Sequence, residues 1–219
     1  MLDLRPMPVQ VAPARLAGLL RAGVSTFGHW RLWGVCAPEI RPLFPCAPVA
    51  GTAVTLALPG PDSVLLHETL ALVRPGDVLV IDRLGDVRHA CVGGIVAEAA
   101  RRRGVVALVV DGPVTDAAEL TQIGLPVWCR GVSGQTTRRL GLGGRRNAPV
   151  SIGGAVVEAG DAVLCDADGV LVMAPPDVQT ALDKAAAQLA REASLMAGLA
   201  AGNTLPDLLS RHAVSGDGA

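Results

Sequence analysis

The chain has 219 residues, half of them apolar, a formal net charge of −1 and 2% aromatic residues with no Tyr. That is ample apolar material for a single domain over 1–219, and it offers neither a basic surface for nucleic acid nor an aromatic platform for stacked bases. No apolar run approaches the roughly 18 residues of a membrane span, and the opening MLDLRPMPVQ carries an acid and prolines where a signal peptide has a basic and then an apolar stretch. A cytoplasmic protein with no nucleic-acid and no membrane partner is expected.

From the start, Val11–Ala22 predicts a helix with Leu16, Leu19 and Leu20 on one side. GVSTFGHWRLWG follows and carries His29, a core or capping residue on one reading and a ligand on another. The proline-rich EIRPLFPCAPVAGTAVTL ends in a strand over Thr52–Leu58. Pro59 to Asp62 form a turn, and Val64–Val73 a short helix on which His67 reads as structural.

The next stretch organises the rest. Asp77–Asp82 (DVLVID) predicts a strand, and Gly93–Gly94 open a helix whose apolar positions are Ile95, Val96, Ala99 and Ala100. Gly104 stops that helix. Val105–Val110 is too short and β-branched for a helix and lacks alternation, so it reads as a strand covered on both faces, ended by the DGP that follows. A right-handed βαβ crossover makes the two strands parallel. It sets the helix N-terminus and Asp116 on one sheet edge, where open α/β sheets bind ligands. Free N–H groups at a helix start favour an anion. Asp116 either holds a divalent cation through oxygen or, with Glu119 in the run D-A-A-E, caps its own helix.

After Glu119 come a short helix and a strand, LPVWCRG, ending at Arg130. The polar SGQTTRRLGLGGRRNAP is a solvated connection or a contact for phosphate or carboxylate, and it lacks the Lys-Ser/Thr of a P-loop. VSIGGAVVEAGDAVLCDADGVLVMAP predicts a small antiparallel β layer, 177–199 an alanine-rich helix, and 213–219 a loose tail. The cysteines Cys36, Cys46, Cys91, Cys129 and Cys165 are odd in number with no C-x-x-C pair, so buried free thiols are expected. Lys184 is the only lysine and lies on that last helix, which argues against Schiff-base chemistry at the sheet edge.

The glycine–helix–strand–DGPVTD run, with GTAVTL, HETLALVRPGDVLVID and NAPVSIGGAVVEAGDAVLCDADGVLVMAP, resembles the family of regulator of ribonuclease activity A, over about 25–175. That family also holds metal-dependent 4-hydroxy-4-methyl-2-oxoglutarate/4-carboxy-4-hydroxy-2-oxoadipate aldolases. The resemblance implies an α/β protein of the swivelling β/β/α fold, with a central parallel βαβ unit, a smaller β layer and a C-terminal helix. It implies a homotrimer or hexamer with sites at subunit contacts. It further implies a carbon–carbon lyase acting on a 2-oxo acid or related carboxylate with Mg2+ or Mn2+. Asp116 then matches the metal ligand, and Gly93, Gly94, Ile95 and Val96 match the amides that bind the substrate carboxylate. Two positions depart from the aldolase pattern. Thr115 stands where an Arg is expected, and Gly94 where an acid orients water; His29 or Arg130 are the candidates for proton transfer. The alternative is a non-enzymatic regulator that binds a ribonuclease or another protein.

Overall fold

The structure is a computed structural model and describes residues 2–214, with side chains through residue 210. The chain opens with β1 (Leu2–Leu4), α1 (Pro13–Ala22) and α2 (Val24–Gly28), passes the short β2 (Arg41–Pro42) and enters the sheet at β3 (Val49–Ala57). Three crossovers follow. α3 (Val64–Thr69) leads to β4 (Asp77–Asp82), α4 (Gly94–Arg102) to β5 (Ala107–Val114), and α5 (Ala117–Ile123) to β6 (Val127–Val132). β3, β4, β5 and β6 are parallel neighbours in that order, as the βαβ reading requires.

The second half wraps this unit. β7 (Gly144–Arg146) runs antiparallel beside the end of β3, with Arg146 opposite Leu56. β8 (Val150–Ile152) and β9 (Ala155–Val157) form a hairpin of their own. β10 (Ala162–Asp166) pairs with β11 (Gly169–Met173) and also with the start of β3, Ala162 opposite Thr52. The expected antiparallel layer is therefore partly joined to the main sheet. α6 (Val178–Ala200) and α7 (Leu205–Val214) close the described chain. Of the tail expected to be loose, 213–214 end α7, and 215–219 lie outside the described residues.

Alternation along the central strands explains their unbroken apolar sequence. Leu79 and Ile81 of β4, with Leu108 and Val110 of β5, pack on one face beneath Val96, Ala97, Ala100 and Leu120 of the crossover helices. Val78, Val80, Ala107 and Val109 point to the other face, against Trp128, Ile152, Val157 and Cys165. Each fully buried aliphatic side chain contributes about 1.5–3 kcal/mol, so both faces hold the strands in register. α1, α2 and α6 cover the outer hairpin through Leu19, Phe27, Leu164 and Val178.

Three expectations change. β5 does not end at DGP: it runs on to Val114, with a register shift against β6 between Val110 and Pro113 that accommodates the Gly-Pro pair. The long basic loop surrenders Gly144–Arg146 to β7. Ile95 is 87% exposed; the buried stripe of α4 runs through Val96, Ala97 and Ala100, and at helical spacing Ile95 falls on the far side of the helix from it. Gly104 stops the helix as expected. Its φ is +81°, and a Cβ there would lie 2.8 Å from Pro75 Cα, so conformation and space both select glycine.

Candidate active site

Asp116 follows β5 and sits at the N-cap of α5 with φ 55° and ψ 42°, in the left-handed region that aspartate visits at modest cost. Its side chain makes no capping bond to α5. It turns instead across the sheet edge, where the Gly94 amide donates to Oδ2 at 3.1 Å and the Thr115 hydroxyl donates to Oδ1 at 3.2 Å. The backbone N–H of Thr115 donates to Val92 O at 2.9 Å, tying the end of β5 to the approach of α4. The capping-box reading of D-A-A-E is thus not what Asp116 does.

This arrangement occupies one of the four expected cradle amides. Gly94 N–H serves Asp116, while Ile95 and Val96 lie in the first turn, where no intrahelical carbonyl reaches their N–H groups. Gly93 precedes the helix with extended backbone. A negative oxygen approaching Ile95 and Val96 meets the positive end of α4.

Around this edge lies a cavity of about 230 Å3 lined by Ser63, His67, Cys91, the 93–96 turn, Thr115, Asp116 and the segment Thr136–Arg139. The last segment is held down by Asp62, which is 1% exposed. Its carboxylate accepts the N–H groups of Val64 at 3.1 Å, Leu140 at 3.0 Å and Leu142 at 2.6 Å. Burial alone would raise the Asp62 pKa, but these amides and that of Gly141 outweigh it and lower it below the ordinary aspartate range. A second clasp lies at His89, whose Nδ1 is 2.8 Å from Asp86 Oδ2 and whose Nε2 is 3.0 Å from Gln135 Nε2. Arg138 and Arg139 are exposed and bring positive charge to the cavity rim.

The remaining sequence candidates fall elsewhere. His29 is at the end of α2, its Nε2 3.2 Å from Glu192 Oε1 on α6. Arg130 pairs with Asp111 and lines a separate cavity with Glu39 and Arg41. Neither reaches the Asp116 cavity within one chain, so the sequence's two proton-transfer candidates are not brought together with Thr115. Cys91 lies in the cavity wall but is buried, and burial pushes its thiol up to about 11 despite the opposing Arg83 guanidinium, so it is no nucleophile at neutral pH. All five cysteines are free. Sequence reasoning passed over Asp62 and the wall position of His67. The turn at Pro59–Asp62 gave no sign of a carboxylate gathering amides from 78 and 80 residues away. The basic loop was the one signal, through its reading as an anion contact.

A larger cavity, about 610 Å3, lies between Arg31–Val35 and the turn of the β8–β9 hairpin. Its rim carries the exposed Leu32, Trp33, Val35 and Val156, and its Arg31 already faces Asp177 at 3.6 Å. This rim is apolar, whereas the smaller cavity has the helix start and the oriented carboxylate.

With this geometry in place, the comparisons with known proteins give the class. The RraA-like family model (aldolase/RraA) matches residues 27–172, and the chain belongs to that family. A protein of Halalkalibacterium halodurans with the provisional name 4-hydroxy-4-methyl-2-oxoglutarate aldolase is 34% identical over 146 residues, 67% of this chain and 69% of that one. One of Paraburkholderia phytofirmans with the same provisional name is 39% identical over 123 residues, 56% of this chain and 74% of that one. Among solved structures, Streptomyces coelicolor RraAS2, described as an unusual member of the RNase ES inhibitor RraA family, superposes with a TM-score of 0.74 at 28% identity, covering 85% of this chain and 98% of its own. The fold is that of RraA-like proteins, as the sequence resemblance implied. No helix of the described residues is long and apolar enough to cross a membrane.

Proposed function

We propose that this chain is a divalent-cation-dependent carbon–carbon lyase, an aldolase or decarboxylase acting on a 2-oxo acid. The observation that carries the reading is the Asp116 carboxylate, turned off its own helix and fixed beside the free N–H groups at the start of α4. A single oriented carboxylate at a wet cavity suits Mg2+ or Mn2+, hard cations that keep several waters and take further oxygens from substrate. It does not suit the closed His/Cys set of structural zinc; among the described residues no three His, Cys, Asp or Glu side chains converge.

Asp116 would hold the cation, and Thr115 fixes the orientation of Asp116 through its hydroxyl. When bound, the cation draws electron density from the 2-oxo group as the carbon–carbon bond breaks. Ile95 and Val96 offer their N–H groups to the substrate's 1-carboxylate. Arg138 and Arg139 supply charge for a second carboxylate at the rim, which favours a dicarboxylic substrate. His29 and Arg130 remain proton-transfer candidates only across a subunit contact. A homotrimer or hexamer with the Leu32–Val35 face in its interface accompanies this reading.

Thr115 supports a second reading. It brings no guanidinium to the site, and a regulator that binds a ribonuclease or other protein needs none. The discriminating experiment incubates the protein with oxaloacetate and with 4-hydroxy-4-methyl-2-oxoglutarate, with and without Mg2+ or Mn2+, and follows pyruvate. Metal-dependent release supports the lyase; no release from either, with a ribonuclease co-purifying, supports the regulator.

A further inference from the structure

Glu119 is left without a task by everything above. In the sequence it completes a capping box, yet its carboxylate makes no bond to the Asp116 amide, and among the described residues it has no hydrogen bond and no ion pair. Its position has another cause. The side chain leans from α5 onto the first turn of α4, and its carboxylate fills the space where a Cβ of Gly94 would be. Gly94 is thus the residue that admits Glu119 to the sheet edge. The φ of Gly94 needs no glycine, since the residue begins a regular helix; the close approach does.

Asp116 is not the proton carrier of a site in which it holds the cation, because a cation on its carboxylate keeps that carboxylate ionised. Cleavage of a 4-hydroxy-2-oxo acid needs such a carrier twice. The 4-hydroxyl proton leaves as the C3–C4 bond breaks and its electron pair moves onto the 2-oxo unit; a proton then returns to C3, giving pyruvate and a new carbonyl compound with no other reactant. We infer that Glu119, packed over Gly94, positions the water that carries this proton, an inference that rests on the lyase reading above. Gly94 joins the two carboxylates, its amide donating to Asp116 and its Cα facing Glu119, so a water between them can be oriented by Glu119 for general acid–base catalysis. His67, which lines the cavity, is the competing carrier.

The test separates three things. First, in metal-free protein, Gly94→Ala should raise Tm less with Glu119 present than in a Glu119→Ala background, because the methyl group must displace the Glu119 carboxylate, whereas alanine otherwise favours a helix over glycine. An equal change in Tm in the two backgrounds would mean that the packing is not as described and would overturn the inference. Second, pyruvate binding with Mg2+ is measured by calorimetry; no binding to the wild-type protein overturns the lyase reading, and this inference with it. Third, exchange of the pyruvate C3 protons in D2O is followed by NMR with Mg2+. Glu119→Gln should slow exchange by about 10²-fold while pyruvate binding changes less than about threefold, Glu119→Asp should recover part of the rate, and Gly94→Glu with Glu119→Ala should restore exchange by moving the acid across the gap. Pyruvate that binds but exchanges as fast in Glu119→Gln as in wild type, or exchange lost only in His67→Gln, overturns the inference and leaves the lyase reading standing.

Discussion

The amide of Gly94 donates to the carboxylate of Asp116, 22 residues further along the chain, at 3.1 Å. This one bond joins the start of α4 to the turn after β5 and holds the Asp116 carboxylate off its own helix. A carboxylate so placed has left its own helix uncapped and stands in the cavity. Asp116→Asn keeps the left-handed backbone, which asparagine tolerates, and the amide oxygen can still accept from Gly94. The protein should fold with nearly unchanged Tm and lose Mn2+ affinity by at least about 10²-fold. Retained affinity, read by Mn2+ titration with paramagnetic detection, would remove Asp116 from the metal role.

Thr115 marks the chain's departure from the aldolase pattern. A threonine hydroxyl supplies one neutral hydrogen bond, here spent on Asp116, where a guanidinium supplies a planar, permanently charged contact. A preorganised donor to developing negative charge is worth about 10²–10³ in turnover. The wild-type protein should therefore be slow on 4-hydroxy-4-methyl-2-oxoglutarate, and Thr115→Arg should raise metal-dependent pyruvate release by roughly 10²-fold. No gain in steady-state turnover would refute that assignment. Adding an acid at position 94 does not help by itself, because its side chain meets Glu119.

Asp62 makes the cavity wall pH-sensitive in a defined direction. Its carboxyl is lowered in the folded protein: burial opposes ionisation, but the amides of Val64, Leu140, Leu142 and Gly141 prevail. The folded state thus binds the ionised form more tightly. The stability from this group is complete above the unfolded value, about 3.9, and is lost as pH falls through the lower folded value. Asp62→Asn should cost about 3 kcal/mol at pH 7 and flatten the acid limb of a urea-melt stability profile. An unaltered acid limb would show that Asp62 does not govern it.

The exposed Leu32, Trp33, Val35 and Val156 should be covered in solution. Light scattering at micromolar concentration should return a trimer or hexamer, and Trp33→Glu should shift it toward smaller species. A wild-type monomer would contradict the proposed assembly.

The strands, the first turn of α4 and the acids around it differ in how far the sequence discloses them. β4 is legible to the residue, because Asp77–Asp82 is a short apolar run bounded by turns and buried on both faces. β5 is legible at its start but not at its end, since DGP signals a break while the neighbouring β6 resumes pairing beyond a register shift. Ile95 misleads because 95, 96, 99 and 100 and the observed 96, 97 and 100 both fit helical spacing, and only packing shows which way the helix is rotated. The place of Asp116 after a parallel strand is legible, but that it makes no cap on α5 is shown only by the direction of its side chain. Asp62 and Glu119 are invisible for a common reason. Each acts on residues distant in sequence, the one on Leu140 and Leu142 and the other on Gly94, and no local pattern records such a meeting.

The most direct test of the central claim is metal-dependent release of pyruvate from 4-hydroxy-4-methyl-2-oxoglutarate and from oxaloacetate, coupled to NADH oxidation and compared between wild type and Asp116→Asn. Wild-type protein should release pyruvate slowly from at least one of the two with Mg2+ or Mn2+, release none after chelation, and Asp116→Asn should release none above background with either metal. Release that persists undiminished in Asp116→Asn, or no release by the wild-type protein from either substrate with either metal, would contradict it.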